Sequence, residues 1–172
     1  MNNYTSFQQY IPQDFNDRSR VWIYQCSRML GLGEALQIEP ILEDFVASWK
    51  SHGAAVKGYA NLLFGQFIII MADESQSTTV GGCSTDSSVR MIKQIEQDLK
   101  VDMFNRQNLS FIIKDKIQIL PFAQLNYAVE NGFITPDTLF FNNLVATKKE
   151  LIDKWIVPIK ESWLATRLVA SS

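Results

Sequence analysis

Histidine occurs once in this chain, cysteine twice and proline five times, and 16 basic side chains stand against 18 acidic ones in 172 residues. Each scarcity excludes a class. One histidine and two cysteines cannot furnish an ordinary structural zinc site without carboxylates, so no metal is expected. Cys26 and Cys83 are far apart and form no CxxC pair, which favours reduced thiols over a disulfide scaffold. A net charge of −2 offers no basic excess to a phosphate backbone, so no nucleic-acid partner is expected. The longest apolar run, Phe67 to Ala72, falls far short of the ~18–20 residues that cross a bilayer. Met1 to Gln13 is polar and lacks the charged and apolar regions of a secretory signal. The expectation is a cytoplasmic protein with no membrane partner and no cofactor.

What is present is enough apolar material for one core: 47% of the chain is hydrophobic. Residues 1–19 are rich in Asn, Gln and Ser and read as an N-terminal extension, with Ile11, Pro12 and Phe15 held to the body. Residues 20–172 read as a single α+β domain. Val21 to Cys26 is β-branched and aromatic, a strand pattern. Ile41, Leu42, Phe45, Val46 and Trp49 recur at helical spacing, with Pro40 suited to the first turn and Gly53 to the stop. Ala54 to Leu63 and Gln66 to Ala72 read as two strands joined at Phe64-Gly65, the second being central because it is apolar throughout. A second helix is expected from about Thr85-Asp86, carrying Val89, Ile92, Ile95 and Leu99. Leu109 to Ile113 and Ile117 to Leu120 follow as strands around Asp115-Lys116, then a helix from Pro121 to Asn131. Thr147 and Glu150 form a capping-box pattern. The order predicts a ferredoxin-like βαββαβ core with an additional strand and C-terminal helices.

In that topology the end of the first helix and the start of the second share one rim, bringing His52 toward Gly81-Gly82-Cys83-Ser84-Thr85-Asp86 and toward Arg18 and Arg20. The chemistry of such a rim follows from residue type. A cysteine at a helix N-terminus is biased toward thiolate, and a nearby histidine is its natural base. Asp86 would orient the imidazole. The backbone of Gly81, Gly82, Ser84 and Thr85, with Arg20, would receive a small anionic ligand. The same residues read equally as a loop-to-helix junction: oxygen-bearing caps, a small thiol, and a histidine favoured at a helix end.

Arg20 to Gln25, Trp49 with His52 to Ala55, Gly82 to Val89, Phe141 to Val145, and Trp155 with Pro158, Ser162 and Trp163 also occur together in a known group. Over Arg20 to Trp163 the chain resembles small single-domain proteins of Bacteroidetes-type bacteria commonly labelled "ABC transporter ATPase". The resemblance brings no activity and no catalytic residues with it. The label implies a Walker A loop, and no G-x-x-x-x-G-K-[ST] run occurs here. Two functions are therefore expected. One is a non-catalytic binding or regulatory module, with a second copy of the chain as a candidate partner through an exposed sheet face or edge. The other is a cysteine-dependent enzyme or redox protein using Cys83 as nucleophile and His52 as base.

Overall fold

A computed structural model describes residues 3–75 and 82–169, the side chains of 82–84 and 169 excepted. The fold is α+β. Strand β1 (Arg20–Gln25) leads into helix α1 (Leu32–Ser48), a short hairpin of β2 (Lys50–Ser51) and β3 (Ala54–Ala55), then strands β4 (Lys57–Leu63) and β5 (Phe67–Asp73) and helix α2 (Gly82–Leu99). β1, β5 and β4 form a three-stranded sheet in that order. Both outer strands are antiparallel to β5, so they run parallel to each other, with α1 between them in sequence. Phe64 and Gly65, with φ of 58° and 64°, are the central residues of the β4–β5 turn, which the Gln66 N–H closes by donating to the Leu63 carbonyl at 3.1 Å.

All seven residues of β5 are buried because both sheet faces are covered. On one face Ile68 and Ile70 meet Ile38, Leu42 and Phe45 of α1 and Ile92 and Ile95 of α2, and Cys26 lies in the same core with no exposure. On the other face Phe67, Ile69 and Met71 meet Phe7, Ile11 and Trp155. The N-terminal residues thus form part of this second core. Tyr4–Tyr10 is a 3-10 helix, and the Phe7 ring stands edge-on to Trp155 at 4.9 Å. The Lys148 ammonium, itself buried, donates to the carbonyl of Phe15 at 2.8 Å and pins the segment down.

A second sheet is built from β6 (Asn108–Ile113), β7 (Lys116–Pro121), β8 (Leu139–Phe141) and β9 (Ile156–Pro158), in the order β7-β6-β8-β9. Its core includes Phe111, Phe140 and Leu125 of the short helix α3 (Leu125–Glu130). Helix α4 (Lys148–Lys154) opens with the expected cap, the Glu150 N–H donating to Thr147 Oγ1 at 3.2 Å. The last helix is α5 (Ala165–Val169). Among the described residues no helix is long and apolar enough to cross a membrane.

Three expectations need correction. Helix α1 begins at Leu32, and Pro40 lies in its middle rather than its first turn. An interior proline costs roughly 3 kcal/mol. Burying Ile38, Leu42 and Phe45 recovers ~1.5–3 kcal/mol for each, and Pro40 faces solvent, so the helix continues through it. The same helix ends at Ser48, not Gly53, and residues 50–55 form the β2–β3 hairpin. Finally, the strand after α2 does not join the first sheet. β6 pairs with β7 and β8, leaving three strands where a βαββαβ core has four.

Candidate functional site

The residues singled out from sequence fall on three elements: the β2–β3 hairpin, the start of α2, and β1. His52 does not close α1; it occupies the exposed turn of the β2–β3 hairpin with φ of 51°, followed by Gly53 at 80°. Gly81 lies outside the described residues. Gly82, Cys83 and Ser84 form the first turn of α2 instead of a loop before it, and their side chains lie outside the described residues. Asp86 is therefore one turn inside the helix, exposed to solvent, and is not its cap. Thr85, half-buried, accepts a hydrogen bond at its carbonyl from Ser88 Oγ at 2.6 Å. β2 packs against α2, so hairpin and helix are neighbours. Among the described residues no three His, Cys, Asp or Glu side chains gather to hold a metal.

Arg20 belongs to a different feature. Its guanidinium is 3.3 Å from the Glu74 carboxylate and 4.7 Å from the Trp22 ring centre, at the mouth of a cleft along the outer edge of β1. This edge lies where β6 is absent from the sheet. At one end the Val21 N–H donates to the Ala146 carbonyl at 3.0 Å. Beyond that the edge opens. Cys26 N–H donates to Gln66 across the β5 side, and alternation along an antiparallel ladder then turns the backbone groups of Ile23 away from β5 and into the cleft.

Two adjoining cavities of about 70 and 230 Å³ make up the cleft, and they share Ile23, Tyr24, Arg106, Asn143 and Leu144. The floor is a continuous polar chain. Ser110 Oγ, fully buried, donates to Gln25 Oε1, which also accepts from Asn143 Nδ2 at 3.0 Å. The Asn143 carbonyl oxygen in turn accepts from Trp155 Nε1 at 2.9 Å, and Gln25 Nε2 donates to the carbonyl of Asn108 at 3.3 Å. Such a network locks amide orientations, since every member has only one arrangement that satisfies its neighbours. The walls are aromatic: Tyr24 against Phe104 at 5.5 Å, and Phe140 against Trp163 at 6.0 Å, both edge-to-face.

The charged lining residues are cationic, with Glu74 offsetting Arg20 at the mouth. Arg20 and Arg106 line the cleft, and no Asp or Glu does among the described residues. Arg106 is exposed and makes no ion pair or hydrogen bond among the described residues. Its charge reaches Tyr24, whose phenol is pushed up by burial, with a hydrogen bond to Ser88 and the Arg106 charge opposing the shift. The Tyr24 hydroxyl therefore keeps its proton at neutral pH.

Sequence reasoning picked out Arg20 from this cleft. It passed over Gln25, Ser110 and Arg106. A signal existed for two of them: Gln25 and Ser110 are polar residues inside apolar strand runs. Comparison with protein-family models, curated protein sequences and solved structures gives no match.

Proposed function

We propose that this chain is a non-catalytic binding module whose ligand site is the cleft along β1, and that the ligand is small and anionic. One observation carries the reading: in a protein of net charge −2, this cleft has no carboxylate among its lining residues and holds Arg106, which makes no ion pair among the described residues. Arg106 offers up to five donors in a fixed fork suited to a carboxylate or phosphate. Ile23 adds a backbone donor and acceptor, and the Gln25–Asn143 floor holds its shape without the ligand. Preorganisation of this kind favours binding, because few side chains need to be ordered on association. A cytoplasmic setting suits the module, whose Cys26 is a free, buried thiol.

The test uses inorganic phosphate, citrate and acetate as probes. At least one of them should raise the melting temperature of the wild-type chain and move the amide resonances of Ile23 and Asn143. Arg106→Ala should abolish both effects while leaving the unliganded melting temperature unchanged. Binding that survives Arg106→Ala, or the absence of binding by all three anions, would defeat the reading.

A further inference from the structure

The three-stranded sheet has a second open edge, on β4, far from the cleft in the strand order. Phe67, Ile69 and Met71 turn their backbone groups toward β4, because the alternate residues Ile68, Ile70 and Ala72 serve β1. Their partners Leu63, Asn61 and Tyr59 are thereby used, and Gly58, Ala60 and Leu62 turn their N–H and C=O groups outward. Among the described residues none of these three outward backbones is hydrogen-bonded. The edge carries no proline and the β4–β5 register runs without a bulge from Lys57 to Leu63. Its one charged residue, Lys57, stands at the start of the strand, so from Gly58 to Leu62 neither a proline, a bulge nor a charge stops the sheet from adding a strand.

Beside this edge runs a groove of about 390 Å³ between β4 and α1, bordered by Leu32, Leu36, Glu39, Glu43, Ala60 and Leu62. Leu32 and Leu36 are 78% and 60% exposed, an apolar patch on the surface of a charged helix. α1 carries Glu34, Glu39, Glu43 and Asp44 and not one Lys or Arg. Glu39 and Glu43 make no ion pair among the described residues.

We propose that the β4 edge and this groove together dock an extended, basic and apolar segment of another protein. The segment adds a strand to β4, sets apolar side chains on Leu32 and Leu36, and brings Lys or Arg to Glu39 and Glu43. Main-chain pairing supplies the register, and alternate side chains supply the selectivity. Charge decides against a second copy of this chain as occupant. A two-fold axis at Ala60 would set two acidic α1 helices side by side, a like-charge arrangement that opposes association.

The experiment is selection of a randomised nonapeptide library, displayed on phage, against the full chain. Enriched peptides should be basic and rich in β-branched residues, and should slow hydrogen exchange at the Ala60 and Leu62 amides. The double variant E39Q/E43Q, altered only at exposed positions, should bind them about tenfold more weakly, with the loss shrinking at high salt. Failure to enrich any sequence overturns the proposal. So does enrichment of acidic peptides, binding without protection at Ala60 and Leu62, or a concentration-dependent dimer that protects the same amides.

Discussion

Arg28 grips Glu34 with both arms of its guanidinium, at 2.8 Å to Oε1 and 2.7 Å to Oε2. The same carboxylate accepts the Gly31 N–H at 3.0 Å, and the same guanidinium reaches the Leu99 carbonyl at 3.3 Å. One ion pair thus ties the start of α1 to the end of α2, satisfying an orphan group at each. The Arg28 hydrogen bonds hold the Glu34 carboxyl at about 2, aided by the Gly31 N–H. Glu34→Gln should lower the melting temperature by a few degrees. The sign with pH is fixed: a carboxyl held below its unfolded value stabilises above about pH 4 and loses that contribution as pH falls through its folded value. Melting curves of wild type and Glu34→Gln should therefore converge on acidification toward pH 2.

Asp73 is a buried counterpart. Its side chain is 4% exposed, accepts the N–H groups of Asn16 at 3.0 Å and Ser75 at 2.9 Å, and lies 3.6 Å from Lys57 Nζ. Burial pushes its carboxyl up, but the hydrogen bonds and Lys57 outweigh burial and hold it at about 2. Asp73→Asn should cost ~2 kcal/mol at neutral pH, measured by urea denaturation, and the difference should vanish between about pH 4 and pH 2. An unchanged difference at pH 2 would mean that shape rather than charge matters at this position.

Two glycines should respond in opposite directions. A Cβ on Gly58 would sit 2.7 Å from Trp49 Cε3, against a ring fixed in the core, so Gly58→Ala should destabilise by ~1–3 kcal/mol. A Cβ on Gly33, in the first turn of α1, meets nothing within 4 Å. Gly33→Ala should stabilise by a few tenths to ~1 kcal/mol through helix propensity. Paired thermal melts check both.

Asn143→Leu should leave the Trp155 indole N–H, in a fully buried side chain, without its acceptor. The expected loss is ~1–3 kcal/mol, the cost of a buried donor left unmade. Hydrogen exchange at the Trp155 indole gives the local readout, and it should accelerate in the variant.

Legibility from sequence followed how local each interaction is. The β5 run read correctly as a central strand because burial on both faces writes itself into consecutive residues. The Phe64-Gly65 turn and the Thr147–Glu150 cap read correctly because their partners lie within three residues. The first turns of α1 were hidden by Gly31, Gly33 and Pro40, local stop signals overridden by the burial of Ile38 and Leu42. His52-Gly53 followed a helical pattern closely enough to suggest a helix end, whereas its two left-handed residues turn a hairpin. The cleft was least legible. Gln25 meets Ser110 and Asn143 from 85 and 118 residues away, and only the departure of β6 from the first sheet opens the space between them.

The Phe7–Trp155 contact also joins residues from distant parts of the chain in one core. Phe7 emerges early and Trp155 late, yet both cover the same face of the sheet. Until the later segment arrives, a nascent chain that has already paired β1, β5 and β4 has only Phe7, Ile11 and Phe15 to cover Phe67, Ile69 and Met71 on that face. That interval is when a holding chaperone has most to offer, and truncation before Trp155 makes the interval permanent.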